Sequence, residues 1–280
     1  MTLSPRIAFQ GELGAYSEEA IRNIDPHATA VPCRDFLDVA QAVESGDVDA
    51  GMLPIENTLA GSVVGSYDAL TAYESLHVVA ETVVEIHHCV LAPRGASLDA
   101  LATVESHPVA LAQCTRWLRE HSAIAVRAAY DTAGAACDVA ARGDLRAAAI
   151  AGRHAAARYD LDILAADVED RSDNQTRFLM IARAPRAHAA AVQARTALLI
   201  TTPNVPGALL RVLEPLARNQ INMSKLESRP ADEPWHYRFF LELDHAAGDP
   251  SLATAIRELR GATESLRALG TYRRWSRATL

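Results

Sequence analysis

The sequence lacks the features that mark secreted, membrane and nucleic-acid-binding proteins. Its four cysteines are widely spaced and form no Cys-x-x-Cys pair, which excludes a disulfide scaffold. No apolar run is long enough to span a bilayer, and Met1 to Gln10 lack the apolar core of a signal peptide. A formal charge of −8 argues against a surface for nucleic acid or anionic lipid. These absences predict a cytoplasmic protein that binds neither nucleic acid nor membrane.

Common nucleotide and metal motifs are also missing. Gly11 and Gly14 have the spacing Gly-x-x-Gly, which is neither the dinucleotide fingerprint nor a Walker loop. No His-Glu-x-x-His is present. His87, His88 and Cys89 are consecutive, and neighbouring strand residues point to opposite faces, so they do not suit one metal ion. The sequence predicts no metal and no cofactor.

What is present is a long alternation of short strands and helices from Arg6 to Arg183. This alternation predicts an α/β domain with largely parallel strands. With 280 residues and 49% hydrophobic content, the chain can form two or more domains. The pattern of strands and helices changes midway along this region, which predicts two lobes. Clefts between lobes are favoured ligand sites.

The pattern of elements changes after Pro185 to Arg195, an alanine-rich stretch that we interpret as a linker, although its alanines could also form a short helix. The order strand, helix, strand, strand, helix, strand then predicts a ferredoxin-like βαββαβ domain. The predicted elements are Thr196–Thr202, Ala208–Arg218, Ile221–Leu226, Tyr237–Leu243, Leu252–Leu259 and Glu264–Tyr272. The predicted domain boundaries are 1–184 and 195–275.

Polar side chains follow a predicted strand at Val48 to Leu53. We expect Pro54 to end this strand, because proline cannot donate to a central ladder. Glu56, Asn57 and Thr58 would then lie in the loop beyond the strand, where α/β folds bind ligands. The alternative is an ordinary polar turn.

Two serines are placed as helix caps by the sequence pattern. Ser17 precedes the helical run Glu18 to Ile24, and Ser62 precedes another apolar helical face. The loop from Gly11 to Gly14 would offer backbone N–H groups to an anion at the first of these helices. A tight turn without a ligand explains the glycines equally well.

The stretch Asn174 to Phe178 places an amide, a hydroxyl and a guanidinium where a loop enters the predicted strand Phe178 to Ile181. From these residues alone, a polar turn before an edge strand is the favoured interpretation. Arg177 suits either a ligand carboxylate or a salt bridge that braces the strand. Cys114 and His107 could form a nucleophile pair, but no orienting third group is evident, which favours a structural thiol.

Taken together, the motifs resemble the prephenate dehydratase family, joined to a C-terminal ACT regulatory domain. The matching stretches are Gly11-x-x-Gly14-Ala15-Tyr16-Ser17, Pro54-Ile55-Glu56-Asn57-Thr58 with Gly61, Val63 and Asp68, Ser106-His107-Pro108 with Gln113-Cys114, Asn174-x-Thr176-Arg177-Phe178, Asn204-x-Pro206-Gly207-Ala208-Leu209 and Glu227-Ser228-Arg229-Pro230. One departure is Leu13, where the family often has proline.

The resemblance implies a bilobal catalytic domain similar to a periplasmic binding protein, with the active site between the lobes. There prephenate would lose carbon dioxide and water to give phenylpyruvate, in phenylalanine biosynthesis. L-Phenylalanine would inhibit through the ACT domain, and the chain would form a homodimer or homotetramer. The few residues before Arg6 leave no room for a fused chorismate mutase domain.

The family motifs also imply residue roles. Thr176 is the chief catalytic candidate, with Glu56 as a rival. The expected substrate-binding residues are Ser17, Asn57, Thr58, Ser106, Gln113, Arg177 and Phe178. The expected phenylalanine site comprises Asn204, Pro206, Gly207, Ala208, Leu209, Glu227, Ser228, Arg229 and Pro230.

The chemistry is compatible with these side chains. Aromatisation drives the reaction, so the protein need only orient a dianion, protonate the leaving oxygen and exclude water. A threonine hydroxyl is a weak acid that would act by hydrogen bonding, whereas Glu56 would be the stronger donor if burial raised its pKa. Arg177, Ser106 and Asn57 could hold the carboxylates.

Two other functions remain open at this point. Arogenate differs from prephenate only by an amino group in place of a keto group, so arogenate dehydration is the nearest rival. A non-catalytic amino-acid sensor is the rival from another class. The polar set around Thr176 argues against a sensor, which needs no acid opposite a leaving oxygen.

Overall fold

The protein was analysed as a computed structural model that describes residues 4–185, 193–231 and 233–276. The chain divides into two compact units. The first comprises Met1–Glu74 and Thr82–Ile181, and the second comprises Ser75–Glu81 and Ala182–Leu280. The sequence-based boundaries of 1–184 and 195–275 stay predictions.

The first unit contains two mixed sheets flanked by helices. Its strands are β1 Arg6–Gln10, β2 Thr29–Cys33, β3 Ala50–Asn57, β4 Gly61–Ser62, β5 His77–Glu85 (which begins in the second unit), β6 Cys89–Pro93, β7 Thr103–Ser106, β8 Ala125–Ala128, β9 Ala147–Ala151, β10 Leu161–Ala165 and β11 Gln175–Ala182. Its helices are α1 Tyr16–Ile24, α2 Phe36–Ser45, α3 Val64–Thr71, α4 Pro108–Ala112, α5 Thr115–Glu120, α6 Thr132–Arg142 and α7 Arg153–Tyr159, with a 3-10 turn at Leu98–Ala100.

The two sheets confirm the expected two-lobed α/β domain. One has the order β2-β1-β3-β11-β5, with β4 paired to β3, and the other has the order β10-β6-β9-β7-β8. The prediction of largely parallel strands was wrong. β11 runs antiparallel to β3, and β6 runs antiparallel to both β9 and β10, because the chain passes from one sheet to the other and back.

The second sheet is buried on both faces. Alternate residues of β6 enter different cores: Cys89 and Leu91 pack with α6 and α7, whereas Val90 and Ala92 pack with α5. Side chains of a strand alternate between faces, so two apolar faces require an unbroken apolar run, and β6 supplies one. This packing fixes the two segments that join the sheets, 86–88 and 166–174.

The second unit confirms the predicted βαββαβ order. Its elements are β12 Gln193–Thr201, α8 Ala208–Arg218, β13 Asn222–Pro230, β14 Tyr237–Ala246, α9 Pro250–Ala262 and β15 Ser265–Arg273. The strands form an antiparallel sheet of order β13-β14-β12-β15. Apolar residues of α8 and α9, such as Val212, Leu216 and Leu259, pack in one core with Leu198 and Leu241 of the sheet.

Pro54 does not end its strand, contrary to the prediction. β3 continues through Pro54 to Asn57. β1 pairs with β3 only as far as Met52, and the β11 ladder bulges where Phe178 lies opposite Pro54. The missing N–H of Pro54 therefore interrupts no regular ladder.

Three further local predictions need correction. Ser17 lies inside α1, where the Glu18 carboxylate instead accepts a hydrogen bond of 2.6 Å from the Gly14 N–H. Ser62 belongs to β4, and α3 begins after Val63. The predicted linker from Pro185 to Arg195 falls mostly outside the described residues, and its last part, from Gln193, belongs to β12.

No helix in the described ranges is both long and apolar enough to cross a bilayer.

Candidate active site

A cavity of about 400 Å³ lies in the first unit, where elements of its two sheets meet. Its lining is dominated by neutral side chains: Gln10, Ala15, Tyr16, Ser17, Pro54, Asn57, Ala60, Gly61, Ser62, Val63, Ile86, His88, His107, Val109, Ala110, Gln113, Asp131, Thr132, Thr176 and Phe178. Of the predicted substrate and catalytic residues, the structure brings Ser17, Asn57, Gln113, Thr176 and Phe178 to this cavity.

The pairing of β3 with β11 places two of these residues together. Thr176 lies opposite Asn57 in the antiparallel register, although the two are far apart in sequence. The Asn57 Nδ2 donates to Thr176 Oγ1 at 2.9 Å. The predicted loop at Asn174 to Arg177 is therefore mostly strand, since β11 begins at Gln175.

Asn57 is fixed by backbone donors at its other end. Its Oδ1 accepts hydrogen bonds from Leu59 N–H at 2.9 Å and Ala60 N–H at 2.8 Å. These bonds form an Asx-type turn, which confirms that the sequence at 57–60 favours local side-chain capping. The turn leaves the Asn57 amide nitrogen directed at Thr176 and at the Oδ1 of Asn174, 2.8 Å away.

A chain of hydrogen bonds continues from Asn174 into the other sheet. Asn174 Nδ2 donates to Gln113 Oε1 at 3.0 Å, and the same oxygen lies 3.0 Å from His88 Nε2. His88 Nδ1 lies 3.0 Å from the Tyr16 hydroxyl. Asn174 and His88 are only 1% and 2% exposed, so water cannot replace these bonds. Burial lowers the pKa of His88, which keeps its ring neutral.

The starts of several helices lie at the cavity. Among the lining residues, all of which the structure describes, none is lysine or arginine. Residues at the starts of α1, α3, α4 and α6 all contribute to the lining. Helix N-termini carry partial positive charge and free N–H groups, so this arrangement suits a bound anion.

Asp131 is the one carboxylate among the lining residues. It caps α6 by accepting from Gly134 N–H at 2.8 Å, and burial raises its pKa. Gly11 approaches it so closely that a Cβ there would lie 3.2 Å from its Oδ2. Gly11 also has a φ of +113°, so this glycine serves both a turn and a close approach.

Glu56 and Arg177 do not line the cavity, although their strand neighbours do. They are paired across the same ladder and form an ion pair of 3.4 Å. Successive strand residues point to opposite faces, so this pair lies on the face away from Asn57 and Thr176. The bracing role that the sequence left open for Arg177 fits this geometry.

Thr58 and Ser106 are also outside the lining. The Thr58 hydroxyl donates to the Asp173 carbonyl at 3.2 Å and accepts from Gln175 N–H at 3.0 Å. Ser106 is fully buried, and its hydroxyl donates to the Ile150 carbonyl at 2.5 Å. Both hydroxyls thus hold local backbone.

Cys114 is a buried thiol, as expected for a structural cysteine. It is fully buried, and burial raises its pKa to about 12. A nucleophilic cysteine needs a lowered pKa, so the pairing with His107 has no support. His107 instead caps α4, where its Nδ1 accepts from Val109 N–H at 3.3 Å.

Three side chains near the junction of the sheets could hold a metal ion. Ligand atoms of His87, Asp167 and Glu169 all lie within 4.8 Å of one another. Both Glu169 oxygens already accept hydrogen bonds of 2.8 Å, from His87 Nδ1 and from His88 N–H. The hydrogen bond between His87 and Glu169 raises the pKa of His87. Burial alone would raise the pKa of Glu169, but the hydrogen bonds from His87 and from the His88 N–H outweigh it and lower that pKa. An ion pair accounts for the cluster.

Tyr16, His88 and Asp131 were not predicted as site residues, and Asn174 was given no place in the network. The sequence offered only weak signals for them: His88 was considered as a metal ligand, and Tyr16 only as part of a family motif. Each acts through a contact that no local pattern encodes.

The predicted phenylalanine-site residues lie in the second unit at two places. Gly207 has a φ of +76° and precedes α8, whose first residues are Ala208 and Leu209. Glu227 to Pro230 form the end of β13, an edge strand of its sheet. Asn204 and Pro206 lie in the turn before α8.

Comparison with known proteins decides the family. The prephenate dehydratase family model matches residues 7–186, and the ACT domain model matches residues 196–261. The chain belongs to the prephenate dehydratase family. The Arabidopsis thaliana protein named arogenate dehydratase/prephenate dehydratase 2, chloroplastic, is 39% identical over 277 residues, covering 95% of this chain and 72% of the relative.

Two solved structures have the same fold over most of their length. A prephenate dehydratase from Arthrobacter aurescens in complex with L-Phe is 31% identical, with a TM-score of 0.88 over 96% of this chain and 90% of that chain. A structure described as GqqA, a novel type of quorum quenching acylases, is 34% identical, with a TM-score of 0.89 over 96% of this chain and 98% of that chain. The family and fold therefore agree with the sequence-based resemblance.

Proposed function

We propose that this family member converts prephenate to phenylpyruvate. The observation that carries the proposal is the hydrogen bond from Asn57 Nδ2 to Thr176 Oγ1 at the cavity. Because Thr176 Oγ1 accepts this bond, its own hydrogen is left for a ligand, and no acceptor for that hydrogen is found among the described residues. A fixed hydrogen-bond donor at the cavity wall is what a departing hydroxide requires.

The reaction balances with these groups. The ring carboxylate leaves as carbon dioxide, and the electron pair of its C–C bond enters the ring and expels hydroxide from the opposite carbon. Thr176 donates a hydrogen bond to that oxygen, and one proton taken up from the solvent converts the departing hydroxide to water. Threonine therefore acts by stabilising developing negative charge, which is the larger part of many enzymatic accelerations.

The charge of the substrate matches the helix ends. Prephenate is a dianion, and no lysine or arginine lines the cavity within the described residues. The starts of α1, α3 and α4 contribute to the lining, and the partial positive charge of helix N-termini would favour an anion there. This distribution favours the helix ends over Arg177 as the carboxylate-binding groups.

The geometry favours Thr176 over Glu56 as the donor. Glu56 is ion-paired with Arg177, and its side chain is 41% exposed on the far face of the ladder. A carboxylate that is ion-paired and partly exposed is poorly suited to donate a proton. Measurement of kcat for variants at both positions tests this assignment.

We favour prephenate over arogenate as the substrate because the cavity offers few hydrogen-bond acceptors for an ammonium group. Arogenate carries an ammonium group, which needs a carboxylate or several carbonyl oxygens. Asp131, the carboxylate in the lining, is engaged in capping α6 and has a raised pKa. The named plant relative carries both activities in its name, so kcat/KM with each substrate is the deciding measurement.

An acylase activity, suggested by the name of one structural neighbour, fits the cavity less well. Acyl transfer needs a nucleophile next to a base. Among the described hydrogen bonds of the lining residues, Thr176 pairs with Asn57, and His107 caps α4. His88 contacts the Tyr16 hydroxyl, but burial raises the pKa of Tyr16, which makes it a poor nucleophile.

The direct test uses the purified full chain with prephenate, and then with arogenate. Phenylpyruvate should form from prephenate, and phenylalanine from arogenate should form at a lower kcat/KM. No turnover of either substrate would leave the amino-acid sensor as the better account. A higher kcat/KM with arogenate would reverse the substrate assignment.

Regulation by L-phenylalanine through the second unit is part of the proposal. It is supported by the ACT domain match and by the L-Phe named with the Arthrobacter structure. Addition of L-phenylalanine should lower turnover in a cytoplasmic homodimer or homotetramer. Replacement Gly207→Ala should weaken this inhibition, because alanine strains a backbone with a φ of +76°. Inhibition curves and sedimentation of both proteins test this part.

A further inference from the structure

The hydrogen-bond chain that crosses the cavity wall has a direction, and that direction can be worked out from its end. Backbone N–H groups can only donate, and those of Leu59 and Ala60 both point to one side-chain atom of Asn57. That atom must be the amide oxygen. The orientation of the Asn57 amide is therefore set by the two backbone donors.

Each later amide follows from the one before it. The NH₂ group of Asn57 faces Asn174 at 2.8 Å, so the facing atom must be an acceptor, the Oδ1 of Asn174. The NH₂ group of Asn174 then faces Gln113 at 3.0 Å, so the facing atom must be Gln113 Oε1. An amide reversed at any one of these positions would set two donors or two acceptors against each other.

The last step determines which ring nitrogen of His88 carries a hydrogen. Gln113 Oε1 accepts from Asn174 and lies 3.0 Å from His88 Nε2, so that nitrogen must carry a hydrogen. The Tyr16 hydroxyl donates to the His87 carbonyl at 2.7 Å. In a neutral His88 ring, Nδ1 carries no hydrogen, so its 3.0 Å contact with the same hydroxyl shares that one hydrogen with the carbonyl.

We infer that His88 is a positioning residue, whose Nε2–H holds the Gln113 carboxamide with its oxygen toward the protein and its NH₂ group toward the cavity. Gln113 lines the cavity, and its amide nitrogen has no acceptor among the described side chains and backbone groups. The backbone of Gln113 is held as well, by Val109 and Asp170. The NH₂ group is thus presented as a rigid donor for a carboxylate.

This role complements the helix ends, since it adds a neutral donor to a cavity lined by no lysine or arginine among the described residues. The carboxylate concerned is the one that the product retains. A contact to it is made equally in the ground state and the transition state, so its loss raises KM and leaves kcat nearly unchanged. The ligand depends on the proposed function, whereas the tautomer of His88 does not.

The first experiment measures the tautomer directly and needs no substrate. Protein labelled with ¹⁵N in histidine, compared with His88→Gln to assign the signals, should show a protonated, pyrrole-type Nε2 at neutral pH. A pyridine-type Nε2 for His88 would overturn the inference. This result stands whether or not the protein turns over prephenate, so it separates the inference from the proposed function.

The second experiment uses two variants and a control. His88→Gln retains an amide N–H near the Nε2 position and should keep KM within about threefold of wild type. His88→Leu removes the donor and should raise KM about tenfold, with kcat within about threefold. The Kd of phenylpyruvate should rise in parallel. His154→Leu, at a partly exposed histidine paired with Glu19, should leave both constants unchanged.

The pattern of these constants decides the outcome. Equal losses in His88→Gln and His88→Leu, or a fall in kcat with KM unchanged, would contradict a role in positioning Gln113. Thermal unfolding of each variant identifies any that does not fold. The rescue by His88→Gln is the part that a purely structural histidine would not produce, because glutamine does not fill the volume of an imidazole ring.

Discussion

The two faces of the β3–β11 ladder carry polar groups of different kinds. On the cavity face, Asn57 and Thr176 are neutral and join a chain of amides whose orientations are fixed by the backbone. On the other face, Glu56 and Arg177 are charged and bind each other. The same register thus brings together two polar pairs, one residue apart.

The two pairs differ in the hydrogen-bond donors that they leave available for a ligand. An ion pair neutralises its own charges, and its part-exposed carboxylate gains little from the contact. In the pair of Asn57 and Thr176, the Thr176 hydroxyl accepts, so its own hydrogen is left without an acceptor among the described residues. Further along the same chain of amides, the Gln113 oxygen accepts and its NH₂ group is likewise left. The proposed binding site is therefore distinguished by its unused donors and not by its charges.

The largest effect is expected for Thr176. Thr176→Ala removes the donor to the leaving oxygen and should lower kcat by about 100- to 1000-fold with little change in KM. Thr176→Ser keeps the hydroxyl and should retain activity within about tenfold. Steady-state kinetics with prephenate measures both. If the Thr176→Ala variant were as active as the Thr176→Ser variant, Thr176 could not be the donor to the leaving oxygen.

Asn57 should come next, with a mixed effect on activity and stability. Asn57→Ala loses the acceptor for two backbone N–H groups as well as the donor to Thr176. We expect kcat/KM to fall about 30- to 100-fold and the free energy of unfolding to fall by about 1–3 kcal/mol.

Asn57→Asp is the matched control for that experiment. It retains the acceptor for the backbone but cannot donate to Thr176. It should therefore lose activity while keeping more of the stability, as measured by urea unfolding. Equal stability losses in the two variants would contradict the capping role of Oδ1.

How far the sequence predicted these contacts can be judged from particular residues. The periodicity of Ala208 to Arg218 predicted α8 with its observed bounds, because its apolar face is continuous. The order of the second unit was also predicted correctly. Local patterns suffice where one element packs on one core.

The rest could not be predicted because it depends on long-range pairing. Glu56 was considered as an acid because its face on β3 was unknown, and the strand was thought to end at Pro54. The register with Arg177, 121 residues away, decides which face each residue takes. The place of His88 depends on Gln113 and Tyr16, from other elements.

The ion pair between His87 and Glu169 should make the stability of the protein depend on pH. Its partner raises the pKa of His87 above 6.5, so this contribution is present below pH 6.5 and is lost as the pH rises through the folded pKa. The pKa of Glu169 is below 4.5, so its contribution is present above pH 4.5 and is lost as the pH falls through the folded pKa. The pair should stabilise most between these values.

His87→Gln tests this expectation by urea unfolding at several pH values. Its deficit relative to wild type should be greatest near pH 5–6 and shrink toward pH 9, while kcat stays within about threefold. Glu85 and Asp167 also approach the His87 ring, at 3.7 and 3.9 Å, and add to the same sign of shift. A deficit that grows with pH would contradict the pairing.

The smallest effect is expected for Glu56. Glu56→Gln should leave kcat within about threefold and change the free energy of unfolding by less than about 1 kcal/mol, because the ion pair is part-exposed. The same assay as for Thr176 applies. A loss comparable to that of Thr176→Ala would show that the acid lies on the other face.

The most direct test of the central claim is a crystal structure of the Thr176→Ala variant with prephenate bound. We predict the ligand in the cavity, with its ring oxygen within about 4 Å of the Cβ atom at position 176, its retained carboxylate on the Gln113 amide nitrogen and no contact with Arg177. Electron density for prephenate on the opposite face, against Glu56 and Arg177, would contradict the account.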